Sequence, residues 1–171
     1  RSSDLDVSIN EQGQKDAKQL ALLMQEYPVD VIYTSCLKRT QETAQLAFPD
    51  RQVQAIADFD ERGFGQWEGL TADEIEAAFP EVWQAWLEAP FEVTPPEAEV
   101  FADFQTRVWA ATESLLDSTD ESIALVAHLG VLRLIYQHLV DGEAVFWNID
   151  VPQGRVLLLE ERDQTWQATL L

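Results

Sequence analysis

Two adjacent basic residues are the first in the chain with an arrangement that suits chemistry. Lys38 and Arg39 follow a short β-rich segment and begin a stretch of helical periodicity, which places them in the first turn of a helix with Thr34 or Ser35 as its expected N-cap. Cations at a helix N-terminus oppose the helix dipole by ~0.3–1 kcal/mol, so a bound anion such as phosphate would account for the pair. A solvated surface pair is the alternative, and these residues alone leave both open.

A histidine follows the most apolar of the predicted strands. Residues 122–127 form an almost continuous apolar run, and His128 stands directly after it. Because ligands of open α/β sheets bind at the carboxyl ends of the strands, this position favours a functional role. The alternative is a hydrogen-bonded core histidine. His138 lacks such a context and is expected to be structural or exposed.

A third candidate lies in a loop of unusual composition. Residues 58–69 combine acidic residues, Arg62, three glycines and large aromatic residues within twelve positions. Phe64 and Trp67 could desolvate a neighbouring carboxylate such as Glu61 and favour its protonated form, which a general acid needs. The alternative interpretation is a tight loop held by buried aromatic side chains.

Several classes of protein are disfavoured by composition and motif. The formal net charge of -20 over 171 residues argues against nucleic acid and anionic membranes as partners, and no apolar run approaches the ~20 residues of a membrane span. One cysteine and two histidines cannot form a structural zinc site, and a lone Cys36 favours a reducing, cytoplasmic compartment. The thiolate-phosphatase loop, the Gly-x-Ser-x-Gly elbow and the phosphate-binding Gly-Lys-Ser/Thr loop are absent from these residues.

The order of predicted elements indicates an α/β protein with an at least partly parallel sheet. Helical periodicity, N-caps and prolines predict helices from Asn10 towards Pro28 and over 37–47, 71–88 with a break at Pro80, about 100–115 and 129–140. Apolar runs predict strands over 29–35 and 122–127 and a terminal hairpin over 156–171. We expect a single domain over residues 1–171, with a helical cap at about 71–98.

Five ordered blocks resemble the histidine phosphatases related to phosphoglycerate mutase, in particular the small phosphatases of the α-ribazole phosphatase type. The blocks cover almost the whole chain, at residues 5–13, 33–44, 61–71, 95–104 and 127–133. The resemblance implies a three-layer α/β fold whose mostly parallel mixed sheet is flanked by helices.

The resemblance also implies a reaction and roles for four residues. It implies phosphomonoester hydrolysis through a phosphohistidine, without metal or cofactor. Glu61 is then the general acid and later the base, His128 in its cationic form donates to the phosphoryl group, and Arg39, with Arg62, binds phosphate. The implied partner is a small phosphorylated substrate, best represented by α-ribazole 5'-phosphate of cobalamin biosynthesis, and the implied assembly is a monomer or homodimer.

The resemblance departs from the family pattern at the nucleophile. The family carries it in an arginine-histidine-glycine triplet after the first strand, and no such triplet occurs in the 171 residues. We therefore expect about twenty preceding residues that carry this strand. The short chain and the Trp67-Glu68-Gly69 sequence favour the phosphatase branch; a phosphoglycerate mutase and a phosphatase-like binding protein without catalysis are the alternatives.

Overall fold

The computed structural model describes residues 6–171, so Leu5, in the first of the five blocks, lies outside the described residues. In chain order the elements are α1 (Glu11–Met24), β1 (Val31–Thr34), α2 (Lys38–Ala47), β2 (Gln54–Ala55), α3 (Ala72–Ala78), α4 (Pro80–Glu88), α5 (Phe101–Ser118), β3 (Ile123–Val126), α6 (Leu129–Leu139), β4 (Leu157–Arg162) and β5 (Thr165–Leu170). The expected α/β class, with a parallel sheet flanked by helices, is confirmed.

The chain divides into two compact units. One comprises residues 61–107 together with Asp6, and the other comprises residues 7–60 and 108–171. The first unit contains α3, α4 and the beginning of α5, whereas the second contains all five strands together with α1, α2 and α6.

The three parallel strands lie in the order β2-β1-β3. Along the β1–β3 pair, Val31 lies opposite Ile123 and Thr34 lies opposite Val126, so both strands end at the same level. Within residues 6–171, β3 pairs with β1 alone, and β4 and β5 form a separate antiparallel sheet. The register of β1 and β3 matters for function because the residues that follow them emerge side by side.

Local sequence explains where the elements begin and end. The Asn10 side chain accepts a hydrogen bond from the Gly13 backbone N–H at 2.8 Å, which makes it the expected N-cap of α1. Pro80 lacks an N–H and begins α4, so the helical stretch over 71–88 is divided there as expected. The terminal hairpin turns at Asp163 and Gln164, which both adopt positive φ (53° and 64°) as a type I′ hairpin turn requires.

Each unit has buried apolar side chains of its own. In the unit of residues 7–60 and 108–171 they come from the sheet, the helices and the loops, and the largest include Ile32, Phe59, Val108, Val131 and Leu134. In the unit of residues 61–107 the buried apolar residues include Trp67, Ile75, Pro95 and Phe104. Trp67 makes edge-on contacts with Trp83 and Trp86, at ring-centroid distances of 5.7 and 5.8 Å.

Candidate active site

The carboxyl ends of β1 and β3 bring together two polar side chains that are 93 residues apart in sequence. Ser35 follows β1, and its backbone N–H donates to the Val126 carbonyl at 3.3 Å. His128 follows β3 at the N-cap position of α6, and its Nε2 lies 2.8 Å from the Ser35 Oγ. Both residues are buried, at 0% and 6% exposure, so their polar atoms need partners within the protein.

Arg39 reaches the opposite side of the same imidazole. The guanidinium Nη2 lies 3.1 Å from Nδ1 of His128, and Arg39 is the second residue of α2. Because a guanidinium has no acceptor, it donates to Nδ1, which must carry a lone pair. This contact describes the neutral ring in the absence of phosphate, and the role of a cationic His128 toward a phosphoryl group stays a prediction.

The start of α2 differs from the expected capping arrangement. Leu37 is the N-cap residue, without a side-chain cap, whereas Thr34 and Ser35 both precede it. The Ser35 hydroxyl instead accepts from the Leu37 backbone N–H at 3.2 Å and contacts the Thr40 Oγ1 at 2.8 Å. The prediction of Thr34 or Ser35 as cap is therefore wrong, because Cys36 and Leu37 form a bend between Ser35 and the first residue of the helix.

Asp60 lies beside the backbone that leads into α2. Its Oδ1 accepts a hydrogen bond from the Cys36 backbone N–H at 2.7 Å. Desolvation, and secondarily the negative charge of Asp60, raise the pKa of the Cys36 thiol. An exposed thiol whose thiolate is disfavoured is a poor nucleophile, in agreement with the missing thiolate-phosphatase motif.

Glu61 begins the unit of residues 61–107, where its backbone and side chain are both engaged. Its Oε1 accepts a hydrogen bond from the Arg62 backbone N–H at 3.1 Å, and its carbonyl accepts one from the Arg107 Nη2 at 3.3 Å. The Glu61 side chain is half-buried. The role of Glu61 as the acid stays a prediction.

Arg62 has a largely buried guanidinium. Only 4% of the residue is exposed, its Nε donates to the Glu99 carbonyl at 2.9 Å, and its guanidinium carbon lies 5.0 Å and 5.6 Å from the ring centroids of Phe64 and Phe101. Through these contacts Arg62 stabilises the packing of the loop against Glu99 and Phe101. Its expected role in binding phosphate stays a prediction.

Sequence reasoning did not assign a role to the ion pair that supports this loop. Arg107 donates from Nε and Nη2 to the two carboxylate oxygens of Glu99 at 2.8 and 2.9 Å, a bidentate geometry that fixes both side chains. The same Nη2 reaches the Glu61 carbonyl. No local pattern marks Arg107, because its partner carbonyl lies 46 residues earlier in the chain.

Close backbone packing explains one glycine of the same loop. Gly65 has a φ of +54°, and a Cβ at this position would collide with the backbone of Pro96 and Glu97. The next backbone N–H, that of Gln66, donates to the Pro96 carbonyl at 2.9 Å. The loop that begins at Glu61 is thereby packed against the segment around Pro96 and Glu97.

Two absences hold for the described part of the chain. Among residues 6–171, no three His, Cys, Asp or Glu side chains are grouped so that they could hold a metal ion. In the same range, no helix combines the length and apolar character needed to cross a membrane.

The parallel sheet, with Arg39 and His128 in contact at its carboxyl edge, agrees with the family found by sequence comparison. The model of the histidine phosphatase superfamily (branch 1) matches residues 1–171, and the chain belongs to this superfamily. The relatives described next are all phosphatases, which supports an enzyme of this class.

Individual relatives are between 26% and 32% identical to the chain over the aligned residues. It is 32% identical over 146 residues to the adenosylcobalamin/α-ribazole phosphatase of Escherichia coli, covering 83% of this chain and 72% of that protein. It is 30% identical over 164 residues to phosphoserine phosphatase 1 of Hydrogenobacter thermophilus, covering 92% and 78%. The crystal structure of the α-ribazole phosphatase from Shigella flexneri matches with a TM-score of 0.91 at 26% identity, covering 100% of this chain and 87% of that one.

Proposed function

We propose that this protein hydrolyses a small phosphomonoester, with α-ribazole 5'-phosphate as its substrate and cobalamin biosynthesis as its setting. The observation that carries the proposal is the contact between Arg39 and His128 at the carboxyl ends of β1 and β3. A guanidinium beside an imidazole presents hydrogen-bond donors and positive charge, which bind phosphoryl oxygens and stabilise charge in the transition state. The relatives in E. coli and S. flexneri support the choice of substrate.

The proposed reaction has two steps. A nucleophilic histidine forms a bond to phosphorus while the bond from phosphorus to the leaving oxygen breaks, and Glu61 gives that oxygen its proton. Water then attacks the phosphohistidine, the phosphorus–nitrogen bond breaks, and Glu61 takes the proton of the water. Arg39, Arg62 and His128 bind the phosphoryl oxygens in both steps. His128 is thus assigned to phosphate binding, and the family's arginine-histidine-glycine triplet does not occur among the 171 residues.

The proposal requires neither metal nor cofactor, because a guanidinium and an imidazole supply the stabilisation of phosphoryl charge that a metal ion would otherwise provide. Hydrolysis by the full-length protein should therefore continue at an unchanged rate in the presence of excess EDTA. A rate that falls with EDTA and returns with a divalent cation would contradict this part of the proposal.

The one cysteine among the 171 residues fits a reducing compartment, and we propose the cytoplasm as the location.

Phosphoserine is a second candidate substrate. The observation that favours it is the 30% identity to phosphoserine phosphatase 1 of H. thermophilus over 92% of this chain. Both candidates are phosphomonoesters of an alcohol, so the chemistry at phosphorus is the same and only the groups around the leaving alcohol differ.

A comparison of substrates tests the proposal. Phosphate release by the full-length protein should show a kcat/KM for α-ribazole 5'-phosphate at least tenfold above that for phosphoserine, since substrate discrimination is measured by this ratio. The reverse order would replace the first candidate by the second. Transfer of the phosphoryl group between phosphoglycerates, without release to water, would instead identify a mutase, and inactivity on all esters with retained phosphate binding would identify a binding protein.

A further inference from the structure

Four side chains and one carbonyl form a continuous chain of hydrogen bonds within the unit of residues 7–60 and 108–171. Arg39 contacts Nδ1 of His128 at 3.1 Å, and Nε2 of His128 contacts the Ser35 Oγ at 2.8 Å. The Ser35 Oγ contacts the Thr40 Oγ1 at 2.8 Å, and that hydroxyl reaches the Leu37 carbonyl at 2.9 Å. Of these contacts, only the one between Arg39 and His128 belongs to the proposed phosphate site. Ser35 and Thr40 have no role in that proposal.

Each end of this series of contacts favours one direction for the hydrogen bonds. The Thr40 hydroxyl has two carbonyl acceptors, those of Leu37 at 2.9 Å and Ser35 at 3.3 Å, which direct its proton away from the Ser35 hydroxyl and leave its oxygen to accept from Ser35. Ser35 must therefore donate to Thr40 and accept from His128, whose Nε2 then carries the proton. At the other end, Arg39 can only donate, so its contact also favours a lone pair on Nδ1. Both ends favour the same tautomer, and the two contacts support each other.

The Ser35 hydroxyl has no hydrogen-bonding capacity left. It donates one proton to Thr40 and accepts from the Leu37 backbone N–H at 3.2 Å and from the His128 Nε2–H. One donor and two lone pairs are the whole inventory of a hydroxyl group. Since Ser35 and Thr40 are 0% and 3% exposed, water has little access to offer alternative partners.

We propose that Ser35 and Thr40 are positioning residues that hold His128 in its Nε2–H tautomer. The Ser35 hydroxyl, oriented by Thr40, keeps the proton on Nε2, so the lone pair of the neutral ring stands on Nδ1 beside Arg39. A second proton can enter the ring only at Nδ1, which turns this atom into a donor toward a phosphoryl oxygen. The functional meaning of this tautomer rests on the proposed phosphatase reaction, but the tautomer itself is a property of the folded chain.

The ¹⁵N resonances of the His128 ring measure the tautomer directly, because protonated and unprotonated ring nitrogens have well-separated shifts. In the full-length protein at about pH 8, where an ordinary imidazole is neutral, we expect a protonated Nε2 and an unprotonated Nδ1. The His128→Gln variant assigns the signals. His138 serves as an internal control, because its ¹⁵N signals should not change when Ser35 or Thr40 is replaced. A protonated Nδ1, or rapid exchange between both tautomers, would overturn the proposal.

Two substitutions at position 40 separate positioning from packing. Thr40→Val keeps the shape but removes the acceptor for Ser35, whose proton can then turn toward Nε2, so the His128 signals should move toward a mixture of tautomers. Thr40→Ser keeps the hydroxyl and should retain the wild-type signals. Ser35→Ala should give the same mixture as Thr40→Val. Unchanged ¹⁵N shifts in Thr40→Val would contradict the proposal even if that variant were less stable.

Kinetics link the tautomer to the reaction. We expect kcat/KM to fall about tenfold in Thr40→Val and to be restored in Thr40→Ser. In the Nδ1–H tautomer, the ring presents a proton to Arg39 in place of the lone pair, which disrupts the contact between the two residues. If the full-length protein hydrolyses no phosphomonoester but shows the Nε2–H tautomer, the proposed function fails and this inference stands. If it is an active phosphatase whose His128 tautomer is insensitive to position 40, the inference fails and the proposed function stands.

Discussion

At the scale of single residues, the notable feature is a cationic side chain held against an imidazole. Arg39 would be repelled by a protonated ring, so its 3.1 Å contact with Nδ1 requires the neutral form of His128. An anion that enters beside both groups would relieve this requirement, since it can accept from each of them. Arg39 should then contribute to binding by charge as well as by hydrogen bonds.

Replacement of Arg39 tests that contribution. Arg39→Ala should lower kcat/KM for an aryl phosphate by well over tenfold, because it removes donors aimed at the phosphoryl group. Lys38→Ala is the matched control: Lys38 is the exposed preceding residue of the same helix, and its loss removes the same formal charge. A similar loss in both variants would show that only net charge matters, and wild-type rates in Arg39→Ala would contradict the assignment of the site.

The leaving group tests the role of Glu61. Glu61→Gln removes the proton that an alkoxide leaving group needs, whereas an activated phenolate leaves without it. We therefore expect the variant to lose much more activity on an alkyl phosphate than on p-nitrophenyl phosphate. Glu68→Gln, a replacement of another half-buried carboxylate of the same loop, is the control and should show no such difference. Equal losses on both substrates in Glu61→Gln would show that Glu61 is not the acid.

At the scale of elements, β1 and β3 are joined at both ends. Their carboxyl ends bring Ser35 to His128. At their other ends, the Asp30 Oδ2 accepts from the backbone N–H and the hydroxyl of Ser122, both at 3.0 Å, and the Asp30 backbone N–H donates to the Ser122 carbonyl at 3.0 Å. Because a shift of one residue would disrupt this contact, it helps to hold the register on which the site depends.

The pH dependence of stability tests the Asp30 contact. Hydrogen bonds from Ser122, first from its backbone and then from its side chain, lower the pKa of Asp30 below 3.8. A carboxyl whose folded pKa is depressed contributes stability above its unfolded value, and the contribution is lost as the pH falls through the folded value. Asp30→Asn should thus be less stable than wild type at pH 7, with a difference that narrows below about pH 4.

The measurement is urea denaturation of both proteins between pH 7 and pH 3. Asp120→Asn serves as the control, since Asp120 is an exposed carboxylate in the turn before β3. This control should differ little from wild type at any pH. A difference between Asp30→Asn and wild type that stays constant with pH would argue that packing, rather than the ionised carboxylate, makes the contribution.

At the scale of the whole molecule, negative charge dominates. The chain has 31 acidic and 11 basic residues, which leaves a formal net charge of -20, and self-repulsion of this kind destabilises the folded state. A substrate phosphate is also repelled at long range, so the positive charge that binds it must be local. Arg39 is the candidate for that charge in the unit of residues 7–60 and 108–171.

Salt should therefore stabilise the protein. Between about 0.02 and 0.5 M NaCl the screening length shrinks severalfold, and the melting temperature should rise by roughly 2–4 °C, the shift that about 1 kcal/mol produces in a domain of this size. At pH 5, nearer the isoelectric point of about 4.1, the same increase in salt should have a smaller effect. A melting temperature that is independent of salt at pH 7 would contradict the importance of self-repulsion.

The sequence by itself determined the elements and the family. Asn10, Pro80 and the apolar run before His128 act through neighbouring residues or through periodicity, so the N-cap of α1, the break before α4 and the strand β3 could be predicted without a partner. Arg39 and His128 were found in the same way, from their places in a helix and after a strand.

Only the tertiary structure decided which polar atoms meet. Ser35 contacts His128 across 93 residues and Arg107 reaches Glu61 across 46, and no local pattern encodes either contact. The burial of Arg62 against two rings was likewise invisible in a loop rich in charges and glycines. The physical reason is the range of the forces: helix caps and periodicity act over a few residues, whereas hydrogen-bond partners are chosen by packing between segments that are distant in the chain.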